Sequence, residues 1–366
     1  MKQRGMKMSV WMAVLFGLIA FFPAAAVFGA PVKIKFSTIF SPTSHFGKEG
    51  KWYFDQVEAH SGGRIKMEYY FGGSICKGGE ELKALRARTI DAALMALGYA
   101  PANAPLTQVF ETTYLTTAVD AHQKAIMECY HNYEPLRKQI ESTNAVLLFS
   151  PPVINNTLWT KFPAPNMAAL KGKKIRAYAW TGDILTRFGA SPAALVWGDI
   201  YNAAKTGIID GIYGTPLSLG WDAKFYEIAP YVTQTGCGVF GAMALVIRKD
   251  LFDGFPKDLQ KVILDWGPKG QEQSVDIVME ENKRAVDDLV ARGIHLTVWS
   301  PEEIAKAKAL VQPAQFDKVI EKLEGVGLGK EGRELRDLYL QSLRKFEKTS
   351  RYVSEFDYWL QKLGKK

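Results

Sequence analysis

Two stretches of this chain alternate short apolar strands with helices through connections of a few residues, and that repetition confines the fold to the α/β class. In the first, residues 32–37 (VKIKFS) alternate as a strand. A turn-rich loop follows at 41–45, then a helix over 46–60 that ends at Ser61-Gly62-Gly63, where glycine can take the left-handed cap. Residues 64–70 read as a strand, 79–88 as a short helix and 90–95 as an apolar strand. Ligands of such sheets bind where loops gather at the carboxyl ends of strands. The loops at 37–45, 71–78 and 97–105 therefore form one side of a candidate cleft.

The pattern restarts after Pro151-Pro152. Residues 157–160 are extended, 167–170 a helical turn, 173–178 a strand, 181–188 and 199–205 helices, and 208–213 a strand. A faint internal repeat links 83–92 with 201–211: each ends a helix and enters a strand through Ile-Asp. Residues 241–247 form a further apolar strand. Helical spacing dominates beyond Pro256, over 258–266, 272–292, 301–323 and parts of 314–363, with a break at 325–332.

The start of the chain differs. Lys2, Arg4 and Lys7 precede an uncharged run from Met8 to Ala30 that contains Pro23 and Ala24-Ala25-Ala26. This is the layout of a secretory leader, cleaved after Ala26 or alternatively after Ala30. A retained membrane anchor is the rival reading. Its removal takes three positive charges off the net +8 of the chain. The remaining basic excess is spread out, with no block of five or six Lys/Arg, which argues against a nucleic-acid partner. Cys76, Cys129 and Cys237 are too few and too far apart for a disulfide framework or zinc site and read as buried thiols, although one disulfide remains open.

Catalytic signatures are absent: there is no HExxH, GxSxG or GxxxxGK[ST]. Gly236-Cys237-Gly238-Val239-Phe240-Gly241 matches GxGxxG, but it precedes a strand instead of opening a helix. Close backbone approach or a hinge explains these glycines better than a nucleotide. Of five scattered histidines, His45 sits on a cleft loop, where it can touch ligand or simply cap. The stretch Lys173-Lys174-Ile175-Arg176-Ala177-Tyr178-Ala179-Trp180 places Lys174, Arg176 and Tyr178 on one strand face. A guanidinium there offers a planar fork for a carboxylate, with Trp180 as an apolar wall. An exposed edge arginine is the equal alternative.

Several segments together resemble the periplasmic solute-binding proteins of tripartite ATP-independent (TRAP) transporters, of the dicarboxylate-binding type. They are Ser61-Gly62-Gly63-Arg64-Ile65-Lys66-Met67-Glu68 with Phe71-Gly72-Gly73-Ser74, Glu80-Glu81-Leu82-Lys83-Ala84-Leu85-Arg86, Thr89-Ile90-Asp91, Leu170-Lys171-Gly172-Lys173-Lys174-Ile175-Arg176, Gly189-Ala190-Ser191-Pro192 and Thr206-Gly207-Ile208-Ile209-Asp210-Gly211. The resemblance implies a two-lobed periplasmic binding protein fold with two mixed or parallel sheets, flanking helices and a long interlobe helix. The expected boundaries are a leader over 1–26, a first lobe of 31–150 plus about 239–270, and a second of 151–238 plus about 271–366.

The resemblance also implies capture without catalysis, a periplasmic location and delivery of a small organic acid to membrane permease subunits; no cofactor or metal is expected, and a monomer is expected over a dimer. It makes Arg176 the carboxylate clasp. Arg88 stands where the family has glycine, Asn155 where sugar-acid binders have a second arginine, and Gly211-Ile212-Tyr213-Gly214-Thr215-Pro216 where a GQENP-like loop is usual. A monocarboxylate with an apolar or aromatic body is expected over a dicarboxylate. Asn155 and Lys161 are the expected further donors. Trp180, Tyr213, Phe40 and Tyr99 are the expected walls, with His45, Gly214 and Phe240 nearby. A sensor's binding subunit and an exported enzyme acting on carboxylic acids are the rival functions.

Overall fold

A computed structural model of the chain describes residues 30–178 and 180–364. The expected leader lies outside them. The first unit contains β1 (Val32–Thr38), α1 (His45–His60), β2 (Ile65–Tyr70), α2 (Glu81–Arg86) and β3 (Ala92–Ala96). It continues through 3-10 turns at Leu97–Tyr99 and Pro105–Glu111 to α3 (Val119–Asn132), α4 (Glu134–Glu141) and β4 (Ala145–Phe149). The second contains β5 (Asn156–Thr160), β6 (Lys174–Ala177), α5 (Thr181–Arg187), β7 (Ser191–Ala194), α6 (Ile200–Lys205), β8 (Gly211–Pro216), α7 (Leu217–Asp222) and β9 (Tyr231–Gln234). The chain then returns through β10 (Met243–Arg248), α8 (Lys249–Asp253), α9 (Lys257–Ala291), β11 (His295–Val298), α10 (Pro301–Glu324), α11 (Gly329–Glu347) and α12 (Glu355–Lys362).

The strands form a five-stranded sheet, β2-β1-β3-β10-β4, and a six-stranded one, β11-β9-β5-β8-β6-β7. Each contains one strand antiparallel to both its neighbours: β10 in the first sheet and β5 in the second. These are the strands that follow the two crossings between sheets, at 150–155 and 235–242. Alternation sorts the second sheet's side chains between two cores. Leu158, Ile175 and Tyr213 join one, while Trp159, Ile212 and Val232 join the other.

Residues 106–150, given no element by periodicity, hold α3, α4 and β4. The short strands β7, β9 and β11 also carry too few residues to show a period. The two helices expected at 258–266 and 272–292 are one helix, α9, which runs on through Pro268. Proline there removes an intrahelical bond. Packing overrides the loss: a side chain on Gly267 would meet the Leu148 carbonyl at 2.6 Å, and one on Gly270 would meet Phe149 at 2.9 Å. The Tyr53 hydroxyl donates to the Ile263 carbonyl at 2.6 Å beside this point. The helix lies against α1 and β4 of the first unit and α7 and α12 of the second.

The stretch 271–366 was expected to stay with the second lobe. Of it, α12 adds Phe356 and Trp359 to a second-sheet core. In contrast, α11 packs on α3, placing Leu335, Tyr339 and Leu343 in the first sheet's core. The C-terminal helices therefore brace both units. Among the described residues no helix is long and apolar enough to cross a membrane. All three cysteines are free and buried.

The GxGxxG-like segment serves close backbone approach. Gly236, Gly238 and Gly241 all have positive φ. A methyl on Gly238 would stand 2.2 Å from the Thr116 carbonyl, which accepts the Val239 amide at 2.9 Å. Gly238→Ala should therefore cost about 2 kcal/mol or more, from strain plus overlap. Gly293→Ala is the control, with φ +69° and nothing within 4 Å of the added methyl; it should cost only about 1 kcal/mol, from left-handed backbone alone. Urea midpoints of the two variants check this, and equal losses would show that the Thr116 contact is unimportant.

Candidate functional site

Arg176 lies on β6 between β7 and β8, paired in register with Ala193 and Ile212. It is 1% exposed. Main-chain carbonyls hold its guanidinium. Nε donates to Leu195 O at 3.2 Å, and Nη1 to Tyr213 O at 3.3 Å and Gly214 O at 3.4 Å. Two successive carbonyls of a regular strand point opposite ways. Here the β5–β8 register skips Gly214, whose φ is +75°. This bulge lets neighbouring carbonyls reach the same cation.

The fourth contact crosses to the first unit: Nη2 donates to the Tyr99 hydroxyl at 3.0 Å. The rings of Tyr99 and Tyr178 meet edge to face at 5.0 Å, and the guanidinium lies 5.6 Å from the Tyr178 centroid. No carboxylate of the described residues forms an ion pair with Arg176. Burial holds its pKa below the usual arginine value, opposed by the phenols of Tyr99 and Tyr178.

The arginine faces a cavity of about 460 Å³, counting space open to solvent. The first unit supplies Phe40, Phe46 and Tyr99, and the second Tyr178, Trp197 and Leu219. Phe40 touches both sides, 4.6 Å from Phe46 and 6.0 Å from Trp197 between centroids. The parallel strands offer their carboxyl ends here, as the sequence suggests. The antiparallel β5 and β10 offer their starts, at Asn156 and Met243. Loops from one edge of each sheet thus meet at this place, although the 71–78 loop, expected as part of the cleft, supplies no lining residue. Among the described residues Arg176 is the only charged one lining it.

Of the residues selected from sequence, Arg176, Tyr99, Phe40, Gly214 and Phe240 line this cavity. The others lie elsewhere. Asn156 lines it in place of Asn155, because adjacent strand residues face opposite ways. Asn155 sits beside Tyr352 and Glu355, though neither of its amide atoms completes a hydrogen bond of ordinary geometry. Lys161 donates to the Ala204 carbonyl. Trp180 lines an outer cleft, under the Lys322 ammonium at 4.2 Å. The side chain of Tyr213 is buried and bonded to Thr235 at 2.8 Å; only its carbonyl serves the site.

His45 is buried, with Nδ1 3.2 Å from the Ser218 hydroxyl, and burial pushes its pKa down to about 3. It joins a cross-unit seam in which Ser41 and Thr43 donate to the two Asp222 oxygens, each at 2.6 Å. Tyr178, placed from sequence on the Arg176 strand face, lines the cavity too, while Phe46, Trp197 and Asn156 are among the lining residues that sequence reasoning passed over. For Trp197, the run Ala193-Ala194-Leu195-Val196-Trp197 reads like any apolar core segment, so the sequence carried no signal that set it apart.

The profile of bacterial extracellular solute-binding protein, family 7, matches residues 36–322. This chain belongs to that family. A solute-binding protein of Verminephrobacter eiseniae is 25% identical over 299 residues, 81% of this chain and 87% of the relative. The C4-dicarboxylate-binding periplasmic protein DctP of Rhodobacter capsulatus is 22% identical over 278 residues, 72% and 79% of the two chains. Among solved structures, a TRAP solute-binding protein from Rhodoferax ferrireducens in complex with copurified benzoate superposes with a TM-score of 0.78 at 21% identity, over 87% of this chain and 99% of that one. A TRAP periplasmic solute-binding protein from Sulfurospirillum deleyianum with bound succinate gives 0.72 at 19% identity, over 85% and 99%. The two-sheet architecture is that of TRAP solute-binding proteins, and the family comprises binding proteins, not enzymes.

A buried cation held only by neutral groups stores an electrostatic cost in the empty protein. Arg176→Met should therefore leave the unfolding free energy of ligand-free protein within about 1 kcal/mol of wild type or raise it. Breaking a structural buried ion pair would instead cost about 3–5 kcal/mol. Denaturant unfolding distinguishes the two, and a loss of that size would assign Arg176 a structural role.

Proposed function

We propose that this chain captures a small monocarboxylate with an aromatic or apolar body and delivers it to the membrane subunits of a TRAP transporter. The observation that carries this reading is the buried Arg176 guanidinium, which has neutral partners only and faces an aromatic cavity. A ligand carboxylate supplies the missing charge through a charge-assisted pair, strong in a site sheltered from water. With no second cation in the lining, a second carboxylate would be buried unpaired at a cost of several kcal/mol. The ring walls suit a flat apolar body. A ligand that touches Phe40 and Tyr99 on one unit and Arg176 and Trp197 on the other favours the arrangement in which both are close. The leader-like start of the chain supports export to the periplasm, where the permease presents its outer face.

Thermal unfolding with a ligand panel tests the reading. Benzoate or a hydroxybenzoate at a hundredfold its Kd should stabilise the protein by about 2.7 kcal/mol through mass action. Benzamide, which matches the shape without the charge, should not. Arg176→Ala should abolish the benzoate shift. A larger shift with succinate than with any aromatic monocarboxylate, or a benzoate shift that survives Arg176→Ala, would sink the proposal.

A further inference from the structure

The cavity that holds Arg176 and a larger cleft outside it share a thin wall. The cleft, about 1370 Å³ counting space open to solvent, is lined from the 3-10 turns that follow β3, from α5 and from α10. Tyr178 and Gly241 face the inner cavity, while Gly98 and Glu111 face the cleft. The Glu111 carboxyl lies within this wall. A methyl added to Gly98 would stand 2.5 Å from the Tyr178 hydroxyl and 2.8 Å from Glu111 Oε1, and one added to Gly241 would stand 3.5 Å from Glu111 Oε2.

Glu111 is 2% exposed, and neither carboxyl oxygen completes a hydrogen bond of ordinary geometry. No basic group of the described residues forms an ion pair with it. The titratable groups that feel it from neighbouring elements are the neutral phenols of Tyr178 and of Tyr339 on α11, and behind Tyr339 stands His122 on α3. His122 is bonded to Tyr339 and to the Gly241 carbonyl, each at 2.7 Å, and burial holds it down at about 4. The charges of the outer cleft are engaged at its rim or carried on α10: Asp183 pairs with Lys318, Lys322 lies over Trp180, and Glu321 lies beside them. An ionised carboxylate buried in this wall would have little beyond one main-chain amide to offset its desolvation. Burial accordingly pushes the Glu111 carboxyl up to about 8, only partly opposed by the Ala242 amide.

We infer that Glu111 is a proton-binding site in the wall of the ligand cavity, and that the chain binds its organic anion and this proton together. The inference rests on the carboxylate reading of the cavity. With Glu111 neutral, the only formal charge that the described residues bring to the cavity is Arg176, and the anion is attracted. With Glu111 ionised, the anion meets a second negative charge one tyrosine ring away, in surroundings that screen poorly. By reciprocity, the bound anion raises the proton affinity of Glu111 by the same factor as the proton raises the affinity for the anion. The outer cleft, which Glu111 lines, is the route by which the proton exchanges with solvent.

Calorimetric titration with benzoate from pH 6.5 to 9.5 tests this linkage. Wild-type affinity should be level up to about pH 7.5 and fall about tenfold by pH 9.5, while Glu111→Gln, which keeps shape and neutrality, should stay level. At pH 8.5, titrations in buffers of different ionisation enthalpy should show net proton uptake with each wild-type binding event and none in the variant. A level wild-type profile, or the same fall in Glu111→Gln, overturns the inference.

Ligand-free protein gives a second readout. The Glu111 pKa is raised on folding, so between about 4.5, the unfolded value, and 8 the native state keeps a proton that the unfolded state has lost. Stability contributed by this group therefore falls as pH rises through that window. Glu111→Gln should unfold at a higher temperature than wild type at pH 8, and this advantage should vanish by pH 4.5. No advantage at pH 8 overturns the proton site whatever binds. Absence of benzoate binding at pH 6.5 together with a normal stability profile would remove the carboxylate reading and the linkage but leave the proton site standing.

Discussion

A guanidinium that the fold buries but does not neutralise is the constraint on which the site depends. Taking such a charge from water costs several kcal/mol even after relaxation, and three main-chain carbonyls and one phenol recover part of that. The rest is offset by the fold around it, from the apolar cores of two sheets and the strut of α9. The design separates holding from binding: the carbonyls fix the planar fork, and a fixed fork spends little ordering entropy when a ligand arrives. On the proposed reading, the aromatic walls then read only what is attached to the anionic group.

The same low-dielectric setting that strengthens Arg176 makes any other charge near it consequential. Glu111 in the wall and His122 behind Gly241 are both kept neutral by burial. On the inferred role of Glu111, the site is less a single basic residue in an apolar hole than a small electrostatic system with one permanent charge and one conditional one. Tyr178 stands between the two, facing the guanidinium with its ring and reaching toward the Glu111 carboxyl with its hydroxyl.

Much of the architecture was legible in the residues. Alternation marked β1, β2 and β3, and the run into Arg176 was both a strand and a family signature. The cavity did form at the strand ends. What escaped was set by tertiary contact. The continuity of α9 through Pro268 depends on glycines pressed against β4, which no local pattern records. The sequence points to Asn155 where Asn156 lines the cavity, a one-residue difference that in a strand reverses the face. Trp180 and Lys161 were chosen for chemistry and proximity in sequence, yet the turn into α5 carries Trp180 to the outer cleft, and the Ala204 carbonyl engages Lys161. Glu111 gave no sign because a carboxylate in an unassigned segment reads as solvated until packing shows otherwise.

The bulge at Gly214 has an evolutionary corollary. Because the anchoring cation is gripped by peptide carbonyls, most substitutions at Leu195 or Tyr213 leave the grip chemically unchanged; only the glycine that makes the turn is irreplaceable in kind. Side chains of the walls can drift, enlarge or shrink while the anchor persists. A lineage built on such a site can move from one organic acid to another by changing its aromatic lining, without ever passing through an ancestor that has lost its hold on the anion.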